Sequence, residues 1–186
     1  MQIKTFCGVY DHNFSYLIIE GKECALIDPA VPAVEILNYV NENGLRLKFI
    51  VIMHSHFDHL VDLLKYRKEG ISWYGHQDLK IKVDKTIEDG NLIYLGKIQM
   101  KVMHTPGHTP DAICLLLDNH LFTSDTLFVG GCGRTDLPGG NSDQLKRSLN
   151  RLQQLSDSVI IYPGHDYGST KTSTIKKEKQ NNPYFK

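Results

Sequence analysis

The chain has 186 residues, 41% hydrophobic and 23% charged, and its 21 basic and 21 acidic side chains cancel. Zero net charge argues against a nucleic-acid partner, which calls for a basic excess. No apolar run approaches the ~18–20 residues of a membrane span, so a membrane partner is not expected either.

The size suits one domain over residues 1–186, able to bury roughly 70% of its unfolded surface. Cys7, Cys24, Cys114 and Cys132 show no Cys-x-x-Cys spacing, and the N-terminus lacks an apolar signal core. Reduced thiols and a cytoplasmic location are therefore expected, with Cys24 and Cys114 as small core residues.

In chain order, residues 13–20 (NFSYLIIE) and 23–27 (ECALI) read as strands joined by Gly21-Lys22, and Asp28-Pro29 ends the second. Val34, Leu37 and Val40 recur at helical spacing within a helix over 31–43, stopped by Gly44. The continuous apolar run 47–53 (LKFIVIM) has the pattern of a strand buried on both faces. A helix over 59–69 and a strand over 71–74 follow, then strands at 92–94, 98–104, 112–117 and 120–123. The glycine-rich stretch 130–140 reads as a loop, and Ser142 as the N-cap of a helix running through Leu155. A last strand spans 159–162, and the tail 170–186 holds one short helical stretch.

At the end of the run 47–53 stands His54-Ser-His56-Phe-Asp58-His59, four metal-competent side chains in six residues. On an extended segment, alternate residues point the same way, so His54 and His56 can grip one ion together. Asp58 and His59, adjacent at a strand-to-helix turn, can face a second ion. Imidazole nitrogen and carboxylate oxygen suit zinc, iron or manganese. His108 in Thr-Pro-Gly-His-Thr-Pro, Asp125 after Leu-Phe-Thr-Ser and His165 after Pro-Gly likewise follow apolar strands, on loops that can converge at one rim. Gly107 permits close backbone approach beside His108. No Gly-x-Ser-x-Gly is present, so no Ser-His-Asp triad is assigned. Cys132 reads as a turn residue, not a nucleophile. His12, His76 and His120 fall outside the constellation, as surface or supporting groups.

The order His54-x-His56-x-Asp58-His59, His108, Asp125, His165 resembles the metallo-β-lactamase superfamily over nearly the whole chain, Asp28-Pro29 included. The resemblance implies an α/β (α+β) fold, a four-layer αβ/βα sandwich with metals at one edge of its two sheets. It also implies two divalent ions, zinc foremost, with iron or manganese possible. One would sit on His54, His56 and His108, and the other on Asp58, His59 and His165, with Asp125 shared. Gly131-Cys-Gly-Arg-Thr-Asp136, Tyr162-Pro-Gly-His-Asp-Tyr167 and the tail from Ser173 resemble the glyoxalase II and persulfide dioxygenase branch. The implied activity is hydrolysis of a small-molecule thioester by hydroxide drawn from water between the ions, with Asp58 orienting it. Asp28 would support the histidine loop by hydrogen bonding. Arg134 could hold a substrate carboxylate or form a structural salt bridge; Tyr167 could line the pocket or pack in the core.

Three positions depart from the pattern: Ser124 before Asp125, Val61-Asp62 after the hexamer, and Asp111, each where glycine is frequent. About twenty residues follow His165, so the C-terminal helical domain of familiar glyoxalase II enzymes is not expected, which weakens glutathione as the necessary substrate. Two other readings compete with the hydrolase. A mononuclear iron persulfide dioxygenase would use His54, His108 and Asp125 alone. A non-catalytic metal-binding relative would gain nothing from so complete a ligand set.

Overall fold

A computed structural model describes residues 1–8 and 11–185. Strands β1 (Gln2–Cys7), β2 (Phe14–Glu20), β3 (Glu23–Ile27), β4 (Arg46–Ile52), β5 (Ser72–His76) and β6 (Lys85–Ile87) form one sheet in that order. Helices α1 (Ala33–Glu42) and α2 (Leu63–Lys68) belong to the same half of the chain. The second sheet is built from β7 (Leu92–Leu95), β8 (Ile98–His104), β9 (Ile113–Leu117), β10 (His120–Ser124), β13 (Ile160–Pro163) and β14 (Ser173–Thr174). A two-stranded ribbon, β11 (Leu127–Phe128) with β12 (Gly131–Cys132), stands apart from both. Helices α3 (Ser142–Gln153) and α4 (Ile175–Asn181) complete the second half.

The side-chain period of two explains the layers. On β2, Phe14, Tyr16 and Ile18 enter the core between the sheets, together with Val51 of β4, Val102 of β8 and Leu115 of β9. The alternate β2 residues Leu17 and Ile19 face the other way, against Ile36 and Val40 of α1 and Tyr66 of α2. On the far side, Leu145, Leu149 and Leu152 of α3 pack on Cys114 and Leu121. Fully burying a leucine is worth roughly 1.5–3 kcal/mol, so each outer layer is held by a handful of such contacts. The result is the αβ/βα four-layer sandwich, with Cys24 and Cys114 buried in it.

Several boundaries differ from expectation. The helix over 59–69 is a 3-10 turn, Phe57–His59, followed by α2. Asp62 separates them: its left-handed backbone (φ 54°) cannot continue a helix, and its carboxylate accepts from the Ala33 amide and Lys65 instead. Asn141, not Ser142, caps α3, its side chain accepting from the Gln144 amide, and the helix ends at Gln153 rather than Leu155. Part of the glycine-rich loop is ordered as β12. Strands β1 and β6 were not foreseen. β1 is an edge strand, largely exposed, and β6 is only three residues long. In the tail, α4 supplies the expected helical stretch, while Lys186 lies outside the described residues.

The two sheets are pinned together at one rim. The Ile113 amide donates to Met53 O (3.0 Å), and the Phe14 amide donates to Gly164 O (2.7 Å). The Tyr16 hydroxyl donates to Pro163 O across the same seam (2.7 Å). The ends of β4, β8, β10 and β13 are thereby held at one edge.

Candidate metal centre

His54 leaves β4, and His56, Asp58 and His59 follow through the 3-10 turn. His108 comes from the turn after β8, Asp125 from the end of β10, and His165 from the loop after β13. Two of these loops need glycine for close approach. Gly107 has a φ of 138°, and a Cβ there would overlap the backbone of Leu145 in α3. A Cβ on Gly164 would strike Asp125 Oδ1 and the backbone of Ser124. Seven side chains expected as ligands are brought together by these loops.

Donor atoms of His54, His56, His108 and Asp125 lie within 4.8 Å of one another, as do those of Asp58, His59 and His165. Asp125 stands between the sets. Its Oδ2 is 3.9 Å from His54 Nε2, 3.4 Å from His108 Nε2 and 3.3 Å from His165 Nε2. Its Oδ1 is 3.4 Å from His59 Nε2. Asp58 Oδ2 lies 3.6 Å from both His59 Nε2 and His165 Nε2.

What stands behind each imidazole fixes which nitrogen faces inward. His59 Nδ1 meets Asp28 Oδ2 at 3.1 Å, and His54 Nδ1 meets Ser124 Oγ at 3.2 Å. His108 Nδ1 meets Arg134 O at 2.8 Å, and His165 Nδ1 meets Asp11 O at 2.9 Å. With an oxygen acceptor at each Nδ1, the four rings present Nε2 to the centre. His56 is reversed: its Nδ1 faces inward, 2.9 Å from His108 Nε2.

Asp28 takes the supporting place expected of it, receiving the Met53 amide (2.7 Å) and the Ser124 hydroxyl (2.8 Å) as well as His59. Ser124 therefore couples Asp28 to His54. It does so from a left-handed backbone, φ 42°, that glycine would adopt without strain. The supporting roles of Asp11 O and Arg134 O were not foreseen, because a carbonyl carries no residue-specific signal. Nor was Asn13, whose Nδ2 donates to Asp58 O (2.6 Å) and holds the hexamer from outside.

The donor chemistry fits a cation. His54 Nε2 and Asp125 Oδ1 are buried and have no hydrogen-bond partner among the described residues, an arrangement that costs free energy unless something positive lies between them. Burial drives the His54 imidazole well below its usual range, and His59 adds to the effect. Burial also opposes a charged His59, yet Asp125, Asp28 and Asp58 outweigh it and lift that group to about 9. For Asp125, burial would raise the carboxyl, but His59, the His165 hydrogen bond and His54 hold it well below the usual carboxylate range. Three carboxylates thus draw a proton onto His59 where a metal ion would serve them better.

The mouth is different. Arg134 is exposed and its guanidinium is held bidentately by Asp136, Nε–Oδ1 2.7 Å and Nη2–Oδ2 2.5 Å. Tyr167 is half-exposed, so it does not pack in the core. Its ring stacks on His165 (centroids 4.6 Å apart), its hydroxyl donates to Asp11, and it lines the cavities beside Asp125. Burial pushes the Cys132 thiol up, which disfavours it as a nucleophile. His12 is exposed; His76 is buried and stacked on His104 at 4.0 Å; His120 bonds the Tyr162 hydroxyl. Among the departures, Asp111 is buried, and neither carboxylate oxygen has a hydrogen-bond partner among the described residues.

Residues 9–77 and 66–165 match the family described as the Metallo-beta-lactamase superfamily. The chain belongs to this superfamily. Among its relatives is the human mitochondrial persulfide dioxygenase ETHE1, 35% identical over 179 residues, covering 92% of this chain and 70% of that protein. A hydroxyacylglutathione hydrolase of Francisella tularensis subsp. novicida (strain U112) is 34% identical over 174 residues, covering 90% of this chain and 68% of that protein. The crystal structure of ETHE1 from Myxococcus xanthus superposes with a TM-score of 0.89 at 33% identity, covering 98% of this chain and 84% of that one. Superfamily members are metal-dependent enzymes, and these relatives act on small molecules. Among the described residues, no helix is long and apolar enough to cross a membrane.

Proposed function

We propose that this protein is a dinuclear metal-dependent hydrolase that cleaves a small-molecule thioester in the cytoplasm. The observation that carries the reading is the shared position of Asp125, with a complete three-residue donor set to one side (Asp58, His59, His165) and three histidines to the other (His54, His56, His108). A mononuclear enzyme needs only one of these sets. Here both are built, and the second is anchored as firmly as the first, through Asp28 and Asp11 O. Zinc fits the nitrogen and oxygen donors, and iron or manganese would also be accepted. The four free cysteines support a reducing compartment.

Two bound cations would supply a water acidic enough to ionise near neutral pH, together with a positive field for the substrate carbonyl. The chain's own groups do the rest. Asp58, with 19% of its side chain exposed, would accept a proton from the attacking water and orient it. Asn13 fixes that residue through its backbone. A thiol leaving group has a pKa of about 8.5, so it departs as thiolate with little help, and no strong general acid is demanded of the pocket. Arg134 and Tyr167 border the reacting position and would steer the substrate.

The ETHE1 relatives favour a second reading, an iron persulfide dioxygenase using His54, His108 and Asp125, a set of two histidines and one carboxylate that suits such chemistry. Metal analysis of the purified protein, with parallel assays on S-lactoylglutathione and glutathione persulfide, separates them. About two ions per chain and thioester hydrolysis are expected. One iron per chain with oxygen uptake on the persulfide overturns the hydrolase.

A further inference from the structure

Two cavities meet at Asp125, and both touch His108, Arg134 and Tyr167. One, of about 390 Å³, is lined by Asp11, Phe57, Asp58 and Leu137. The other, of about 370 Å³, lies over Phe128 and Cys132 and is flanked by Tyr184. This second cavity does not end at the mouth. It shares Cys132, Gly133, Arg134 and Tyr184 with a larger hollow of about 660 Å³ against α3, floored by Leu145 and Leu149, with Lys146 on its lip. The two hollows form one groove leading away from the metal centre.

The wall of that groove is fixed in place. Asn182 is fully buried and its Nδ2 donates to Gly131 O (2.9 Å) and Glu178 Oε2 (2.9 Å), while the Gly130 amide donates to the same Glu178 oxygen (2.8 Å). Phe185 is buried in the outer core. Between these two anchors Tyr184 stands 61% exposed along the groove. Charge is divided between the two directions. Among the described residues the Phe57 cavity has no lysine in its lining and carries the carboxylate of Asp11, which disfavours an anionic tip there. In the far hollow Asp136 is neutralised by Arg134, and Lys146 makes no ion pair among the described residues. An arm with an apolar middle and an anionic tip is matched by the far hollow, where Lys146, a compact point charge, suits a phosphate dianion.

Resting on the thioester-hydrolase reading above, we propose that this groove binds the thiol-carrier side of the substrate as an extended, phosphorylated arm, with its phosphate on Lys146 and its chain against Leu145, Leu149 and Tyr184. The acyl group then lies toward Phe57 and Leu137.

The test compares acetyl thioesters of pantetheine, pantetheine 4′-phosphate and glutathione on the metal-loaded protein, with calorimetric binding of free pantetheine 4′-phosphate as a readout independent of turnover. The phosphate should raise kcat/KM over pantetheine by about three- to five-fold, the upper worth of an exposed charge pair. Lys146→Ala should bring that ratio near one, Lys146→Glu below one, and both should weaken binding of the free probe in parallel. Lys146 is exposed on α3, so neither variant threatens folding. Equal kcat/KM for the two pantetheine thioesters, or a ratio untouched by both Lys146 variants, overturns the site while leaving the hydrolase standing. Preference for the glutathione thioester with no Lys146 dependence also overturns it. Lys146-dependent binding without any thioester turnover would sink the hydrolase reading and keep the site.

Discussion

At the metal centre four imidazoles are held from behind by an oxygen on Nδ1, two loops are closed by glycines that admit no Cβ, and the sheets are pinned together alongside. At the mouth, Arg134 spends its guanidinium on Asp136, Tyr167 is half-exposed, and Phe57 is 82% exposed between two ligands. The first region is over-determined by its surroundings, so losing one group should be costly and specific. The second is determined mainly by solvent and by pairs it makes with itself. On the proposed reading, chemistry would sit in the rigid part and substrate choice in the adaptable one.

The comparison breaks most visibly at Asp125. Asp125→Asn keeps the shape but removes the negative charge that both donor sets share. Loss of several kcal/mol of electrostatic stabilisation corresponds to a fall of about a thousand-fold or more in kcat. Metal content, measured on the same preparation, should fall with it. Retention of two ions and near-normal turnover would mean the two sets are not joined by this carboxylate.

Next in size is His165→Ala, which empties one donor set and leaves His54, His56 and His108 intact. The hydrolase should lose one ion per chain and about a hundred-fold in kcat. A persulfide dioxygenase working from the other set should keep its iron and stay within about three-fold. Metal content read alongside the two substrate assays makes the outcome unambiguous.

Most of this centre was legible before the fold, and for a physical reason. The candidate ligands are side chains, and their identity at strand ends is written residue by residue, so His54 through His59, His108, Asp125 and His165 can be picked out together as a cluster that the fold brings to one rim. Asp28 could be suspected as a support for the same reason. Asp11 O and Arg134 O could not, since any residue offers a carbonyl and only the folded chain says where it points. Central strands declared themselves by continuous apolar runs, whereas the exposed edge β1 and the three-residue β6 had little pattern to show. Asp62 illustrates a third kind of loss: its left-handed turn split an expected helix, and an aspartate does that without the announcement a glycine would make. Tyr184 and the α3 hollow depend on a tail packing back across the ribbon, which no local pattern encodes.

Ser124→Gly probes the join between support and ligand. Removing the hydroxyl deletes the link from Asp28 to His54 Nδ1, and supporting hydrogen bonds of this kind are worth about 10–100-fold in metal affinity. Glycine also relieves a left-handed backbone that costs a non-glycine residue roughly 1–2 kcal/mol. The two effects oppose each other in stability but not in metal binding. Melting temperature should therefore barely move while affinity, measured by chelator competition, falls about ten-fold. A large drop in melting temperature with unchanged affinity would show that Ser124 serves the core instead of the centre.

The smallest effect is expected at Arg134, which belongs to both regions through different atoms. Its carbonyl oxygen accepts from His108 Nδ1, and its guanidinium reaches only Asp136 and the mouth. Arg134→Ala keeps the carbonyl, so metal content and kcat should stay within about two-fold. Its side chain is exposed and already neutralised, and exposed ion pairs are worth about 0.2–1 kcal/mol, so KM should rise by roughly two- to three-fold. If the variant instead loses metal, the His108 anchor depends on how the side chain sets the loop, and the boundary between centre and mouth has been drawn in the wrong place. If KM rises far more, the guanidinium leaves Asp136 when substrate arrives, and the mouth is more committed to its ligand than its resting geometry implies.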